Sequence, residues 1–162
     1  GIQYAQILGS GASVLAIDRR EDKLELAREA GADFTLNISN SEDIRNKIDV
    51  LTKGQGIDVV LDTVGLESTV NAAVNILNRN GAIIVVGLFG SEIKTPLFQT
   101  VIKEFQIFGS LWGNYNELCE VIELAKKGKI KHCIRNYSLS RVNDAIDLLR
   151  AGNINGRAVI TP

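Results

Sequence analysis

The sequence predicts an α/β fold in which a doubly wound parallel sheet carries helices on both faces. From about residue 12 onward, short runs rich in β-branched residues alternate with segments whose apolar residues recur every three to four positions. That alternation is typical of parallel strands joined by crossover helices. The runs at 59–65 and 82–90 are almost continuously apolar, as strands buried on both faces require.

Each element is predicted from its local pattern. Residues 1–9 resemble the second half of an amphipathic helix. Strands are expected at 13–18, 34–37, 59–65, 82–90, 106–112 and 157–162, with an edge strand near 92–98. Helical stripes are Leu24/Ala27, Ile44/Ile48/Leu51, Val70/Ala73/Val74/Leu77, Leu118/Val121/Ile122/Ala125 and Val142/Ala145/Ile146/Leu149, with Ser140 as the cap of the last helix.

Composition limits the classes of function. With 162 residues, one domain over 1–162 is expected, and a net charge of −1 argues against nucleic acid and membrane surfaces as partners. Cys119 and Cys133 are too few for a disulfide framework and lack zinc-site spacing, which favours a cytoplasmic location. Because methionine is absent and the chain opens within a helical pattern, we expect a piece of a longer protein.

Asp18 ends the first clear strand, where a dinucleotide-binding domain places an acid for the adenosine ribose. The glycine-rich turn that normally precedes this acid by about 20 residues would fall before Gly1, so the first strand and its turn are expected to be missing. The segment GSGAS at 9–13 follows a helix and precedes a strand, the reverse of a phosphate-binding turn. Its glycines are therefore interpreted as helix terminators.

Several candidate residues keep two interpretations. Asp18 either contacts ribose or caps the next helix, Lys23 is either a ribose contact or a solvated charge, and Arg157 is either a pyrophosphate ligand or a surface charge. The negative charge of Asp18 favours NAD over NADP, whereas Arg19 and Arg20 beside it could receive a 2′-phosphate.

The ends of the two central strands are the other candidate site. Val64–Gly65 and Val86–Gly87–Leu88 lie where open α/β sheets bind ligands, and glycine there admits close approach of a flat ring. No nucleophile and base pair is found. His132 is interpreted as a surface residue, so no catalytic or metal-binding residue is predicted.

The segments VLAIDRREDKLELAREAGAD, IDVVLDTVG, GAIIVVGLFG, IFGSLWGN and AIDLLRAGNINGRAVITP together resemble the cofactor domain of zinc-dependent medium-chain alcohol dehydrogenases, nearest to the archaeal and bacterial tetrameric branch. The resemblance covers essentially the whole chain and implies a Rossmann fold. It also implies cofactor contacts at Asp18, Arg19, Lys23, Val64, Gly65, Val86, Gly87, Leu88, Ser110, Leu111, Trp112 and Arg157.

The resemblance further implies a parent enzyme that transfers hydride between an alcohol and NAD while zinc, bound outside this chain, polarises the oxygen. The catalytic domain would be absent, so the isolated chain is expected to be inactive. The segment from about 92 to 111 resembles the family's dimer-forming region. Alternatives are a zinc-free quinone or enoyl reductase that uses NADPH, a nucleotide-sensing module without chemistry, and a methyltransferase.

The missing strand has a structural consequence. In the strand order 3-2-1-4-5-6 it would lie between the strands at 13–18 and 58–64. Two rows of unpaired buried backbone groups are too costly to leave open. We therefore expect either that a segment from outside this chain fills the position, or that the two flanking strands pair directly.

Overall fold

A computed structural model describes residues 1–39 and 43–162 of the chain. These residues form two compact units, one of residues 1–39 with 114–162 and the other of the described residues within 40–113. Within the described residues, all strand pairs are parallel, and strands alternate with helices along the chain. This arrangement confirms the α/β class. No described helix is long and apolar enough to cross a bilayer.

The first unit contains two pairs of strands and four helices among its described residues. The strands are β1 (Leu15–Asp18), β2 (Phe34–Asn37), β6 (Ile134–Ser138) and β7 (Arg157–Thr161), and β1 pairs with β2 and β6 with β7. The helices are α1 (Ile2–Leu8), α2 (Glu21–Glu29), α6 (Tyr115–Lys126) and α7 (Val142–Arg150). Helix α2 packs on β1 and β2 through the buried side chains of Leu24 and Ala27.

The second unit contains one sheet in the order β3-β4-β5. Its strands are β3 (Ile57–Asp62), β4 (Leu77–Val85) and β5 (Gln106–Gly109), and its helices are α3 (Ile44–Thr52), α4 (Glu67–Ile76) and α5 (Leu97–Lys103). The core of this unit combines α4 with the middle strand, and its buried residues are Val70, Ala73, Val74, Leu77, Ile83 and Phe105. The parallel pairing brings the carboxyl ends of all three strands to one edge.

Among the local predictions, two are wrong and one strand was missed. No strand forms at 92–98, where a polar segment leads to Pro96 and α5 begins at Leu97. Ser140 does not cap α7, because a 3-10 turn at Leu139–Arg141 lies before it and the Ser140 hydroxyl pairs with that of Ser138. Strand β6 was not predicted, since its sequence IRNYS is largely polar.

The strands that would flank a missing strand do not pair with each other. β1 pairs with β2 and β3 pairs with β4, each within its own compact unit, and the described residues add no further strand to either sheet. The expectation of direct pairing between β1 and β3 is therefore wrong. Occupation of the position by a segment from outside the chain stays a prediction.

Candidate functional site

Asp18 fixes the turn at the carboxyl end of β1. Its Oδ1 accepts a hydrogen bond from the backbone N–H of Arg20 at 2.9 Å, and the residue is half-buried. Helix α2 begins at Glu21, and no side chain caps it. The proposed capping role of Asp18 is thus not observed. The carboxylate instead shapes the turn with one oxygen, while its second oxygen accepts no hydrogen bond from the described residues.

The Arg20 guanidinium is held by a bidentate ion pair with Asp22. Its Nε and Nη2 donate to the two carboxylate oxygens of Asp22 at 2.9 and 2.7 Å, and its Nη1 donates to the carbonyl of Gly152 at 2.5 Å. The hydrogen bond from Arg20 holds the pKa of Asp22 below its ordinary value, and the same bond raises the pKa of Arg20. Arg19 is exposed, as Arg20 is.

Lys23 is bound to the loop that leads into β7. Its Nζ donates to the carbonyl oxygen of buried Ile154 at 2.9 Å and to Oδ1 of Asn155 at 2.7 Å. The interpretation of Lys23 as a freely solvated charge is therefore wrong. Arg157 follows this loop as the first residue of β7, is exposed, and donates its backbone N–H to the carbonyl of Cys133 at 2.9 Å.

In the second unit, the ends of β3 and β4 approach so closely that only glycine fits. Gly65 has φ +73°, and a Cβ there would lie 2.0 Å from the carbonyl oxygen of Gly87. A Cβ on Gly87 would lie 2.1 Å from the carbonyl carbon of Val64. Hydrogen bonds continue past the strand ends, from Phe89 N to Val64 O at 3.1 Å and from Gly90 N to Gly65 O at 2.8 Å. The two glycines thus bring these strand ends together.

Asp62, which sequence reasoning missed, organises this turn. It is 6% exposed; its Oδ1 accepts the backbone N–H groups of Val64 and Gly65 at 2.8 and 3.0 Å, and its Oδ2 accepts the Thr69 hydroxyl at 2.7 Å. An aspartate that accepts from N–H groups two and three residues later is a known turn signal. That signal was present in the sequence, within a run that was interpreted only as an apolar strand.

The remaining predicted residues lie at the same edge of the second unit. Val86 and Leu88 are 43% and 79% exposed, and Ser110, Leu111 and Trp112 directly follow the neighbouring strand β5. Trp112 is 91% exposed. These side chains therefore leave an open, mainly apolar surface beside the glycine turn.

The described part of the chain also contains residue types that can bind metals or act as nucleophiles. Among its His, Cys, Asp and Glu residues, no group of three or more could hold a metal ion. Cys119 and Cys133 are both free thiols. A concave region of about 470 Å³ contains none of the predicted site residues, and its lining is Glu67, Asn71, Asn75, Lys94, Thr95 and Pro96.

Comparisons with known proteins agree on one family. A family model described as zinc-binding dehydrogenase matches residues 1–127. The chain is 36% identical, over 99% of its length, to an NAD-dependent alcohol dehydrogenase of Sulfurisphaera tokodaii, and 34% identical to a D-arabinose 1-dehydrogenase (NADP(+)) of Saccharolobus solfataricus. It covers 46% and 45% of these two proteins, so it spans about half the length of the curated relatives it matches.

The fold is similar to that of solved dehydrogenase structures. An alcohol dehydrogenase from Aeropyrum pernix superposes with a TM-score of 0.90 at 35% identity, over 99% of this chain and 46% of that protein. A D-arabinose dehydrogenase from Sulfolobus solfataricus superposes with a TM-score of 0.81 at 30% identity, over 99% of this chain and 44% of that protein.

Proposed function

The chain belongs to the zinc-binding dehydrogenase family, and on that premise we propose that it is the NAD(H)-binding part of an alcohol dehydrogenase. The whole protein would exchange hydride between the nicotinamide and an alcohol, aldehyde or ketone. Relatives named as NAD-dependent alcohol dehydrogenases, matched over 99% of this chain, support the proposal. Because another relative is named for NADP, the cofactor preference of this chain has to be argued from its own residues.

The observation that carries the proposal is the carboxylate of Asp18 at the end of β1. Ribose hydroxyls are hydrogen-bond donors, and Asp18 keeps one carboxylate oxygen without a donor among the described residues. A negative charge at this position repels a 2′-phosphate, so Asp18 favours NAD. Lys23 and Arg157 add positive charge around the same turn and loop.

The second unit fits a flat ring system. The Gly65–Gly87 approach leaves bare backbone at the ends of β3 and β4, and the apolar side chains of Val86 and Leu88 lie exposed beside it. When bound, the nicotinamide supplies the hydride chemistry. In this proposal Val64, Gly65 and Val86–Leu88 orient the ring, and Ser110–Trp112 contact its carboxamide end.

The described residues do not fit a catalytic zinc ion, since they contain no cluster of suitable ligands. We place any zinc that the whole protein uses on residues outside this chain. The 162-residue chain alone should give no alcohol-dependent NADH production even with added zinc, and turnover above a buffer control would contradict this.

The test of the cofactor role is Asp18→Gly in the full-length protein. Titration with NADH and NADPH, followed by nicotinamide fluorescence, should show a larger loss of affinity for NADH than for NADPH. Equal losses for both would leave Asp18 with its turn-forming role alone. A zinc-free reductase that prefers NADPH is the second candidate, supported by the relative named for NADP, and tighter binding of NADPH by the unaltered protein would favour it.

Self-association and a cytoplasmic location complete the proposal. Within the segment 92–111, Leu97, Phe98 and Val101 of α5 are 78%, 77% and 65% exposed, and β5 pairs with β4 alone among the described strands. An exposed apolar helix face and a strand edge that is open among the described strands each favour contact with a second copy. A monomer by light scattering at high concentration would contradict it. The two free thiols favour a reducing compartment.

A further inference from the structure

The turn after β1 presents one carboxylate and two arginines in succession, Asp18, Arg19 and Arg20. These residues give opposite signals for cofactor choice, because a carboxylate accepts ribose hydroxyls whereas a guanidinium binds a 2′-phosphate. The availability of each guanidinium therefore matters as much as its presence in the sequence.

The donors of Arg20 are largely occupied. A guanidinium has five N–H donors, and three of those of Arg20 are used by the two oxygens of Asp22 and the carbonyl oxygen of Gly152. The pair with Asp22 is bidentate, which fixes the plane of the Arg20 guanidinium as well as its distance from the carboxylate. The guanidinium is thus committed to α2 and to the loop before β7.

Asp22 is itself well placed to hold this arrangement. Lys23, the next residue of α2, binds the loop before β7 at Ile154 and Asn155. The pKa of Asp22 lies below its ordinary value, chiefly through the hydrogen bond from Arg20, so the carboxylate is charged at neutral pH. Asp22 therefore holds the Arg20 guanidinium, and its neighbour Lys23 holds the loop before β7.

We propose that Asp22 is a specificity-determining residue, which holds the Arg20 guanidinium away from the adenosine ribose and so favours the dinucleotide without a 2′-phosphate. This inference rests on the proposed function of Asp18. In this arrangement Asp18 presents its free oxygen to the ribose hydroxyls, while the cation that could neutralise a 2′-phosphate is bound elsewhere. Asp22 acts through Arg20 and is a positioning residue.

The test is Asp22→Asn in the full-length protein, titrated with NADH and with NADPH. Release of Arg20 should lower the ratio of the NADPH to the NADH dissociation constant by about fivefold, the size of one charge-assisted contact. If Asp22 had a purely structural role, the substitution would weaken the binding of both cofactors alike and leave the ratio of their dissociation constants unchanged. Asp22→Ser also removes the carboxylate and should change the ratio in the same direction, should Asp22→Asn fail to fold.

Two controls separate release of Arg20 from loss of negative charge. Glu25→Gln removes one charge from the same helix, where Glu25 pairs with Arg28 at 2.7 Å, and should leave the ratio unchanged. The double variant Arg20→Gln with Asp22→Asn should return the ratio to the value for Arg20→Gln alone. Arg19 is the same in every variant.

The outcomes also separate this inference from the proposed function. An unchanged ratio in Asp22→Asn, an equal change in Glu25→Gln, or a change that persists without Arg20 would overturn the role of Asp22 while Asp18 kept its own. Failure of the unaltered protein to bind either dinucleotide would overturn the proposed function and this inference with it.

Discussion

The carboxyl end of β1 and the carboxyl ends of β3 and β4 are built by different means. At β1, half-exposed charged side chains determine the local structure: Asp18 shapes the turn, and Arg20, Asp22 and Lys23 bind one another or the loop before β7. At β3 and β4, backbone contacts and one buried carboxylate determine it. Charged side chains at the end of β1 can therefore be substituted, whereas the backbone contact at the ends of β3 and β4 leaves no room for a larger residue.

This difference predicts that ligand selectivity and stability of the fold depend on different regions of the chain. Exposed ion pairs contribute about 0–1 kcal/mol to stability, so the residues around Asp18 can change between related proteins without loss of the fold. The backbones at Gly65 and Gly87, between which a Cβ does not fit, have no such freedom. We therefore expect substitutions in the second unit to affect stability most, and substitutions around β1 to affect mainly the choice of ligand.

The largest effect is expected from Gly65→Ala. The new methyl group would meet the carbonyl oxygen of Gly87 at 2.0 Å in a backbone conformation with φ +73°. We expect a loss of about 3–4 kcal/mol in the free energy of unfolding, measured with urea. Gly109→Ala in β5 of the same unit is the control, because nothing lies within 4 Å of its Cβ, and it should change stability by about 0.5 kcal/mol or less. Equal losses would show that space is not limiting at Gly65.

The next effect is expected from Asp62→Ala. It leaves the N–H groups of Val64 and Gly65 without their acceptor in a buried turn, which should cost about 2–3 kcal/mol in chemical denaturation. Asp62→Asn retains one accepting oxygen, and its cost should be about 1 kcal/mol. A result in which the two variants are equally stable would mean that the carboxylate does not hold the turn.

A smaller effect is expected from Lys23→Met. The change removes two hydrogen bonds to the loop at Ile154 and Asn155, and about 1 kcal/mol of stability should be lost. Lys129→Met, at an exposed lysine of the same unit, should shift stability by no more than about 0.5 kcal/mol. If Lys23→Met matched Lys129→Met, the charged region would contribute nothing measurable to folding.

The smallest effect concerns pH and the ion pair of Asp22. Because the folded-state pKa of this carboxyl is lowered, chiefly by Arg20, its stabilisation is complete above its ordinary value of 3.8 and is lost as pH falls through the lowered value. Thermal unfolding should therefore separate the unaltered protein from Asp22→Asn slightly at pH 7. The separation should shrink as pH falls below 3.8, and a separation that stayed constant over that range would assign it to another cause.

Local periodicity predicted most elements, because helix stripes and apolar runs depend on neighbours a few residues away. The stripe containing Leu24 and Ala27 formed α2, and the Asp18 position followed from the same order of elements. Strand β6 could not be found in this way, since its residues are mostly exposed and its sequence IRNYS is largely polar. A short polar segment carries little of the apolar pattern by which the other strands were predicted.

The site residues likewise divide into those that could be predicted from the sequence and those that could not. The positions of Asp18, Gly65 and Gly87 at strand ends were predictable from strand order alone. The pairing of Arg20 with Asp22 was not, because Arg19 and Arg20 are equivalent in the sequence and only the folded turn shows that Arg20 binds Asp22. Burial of Asp62 was likewise hidden, as it requires the chain to fold back from Val64 to Thr69.

The open edge of β3 has a practical consequence for handling the protein. Val59 and Leu61 are 56% and 45% exposed on this strand, which is bonded to β4 alone among the described strands. An apolar strand with unpaired backbone groups is a template on which further chains can stack, and aggregation is the usual result. Soluble yield of the 162-residue chain should therefore fall as its concentration rises during expression. A single lysine in place of Val59 should act as a gatekeeper and keep more of the chain in solution.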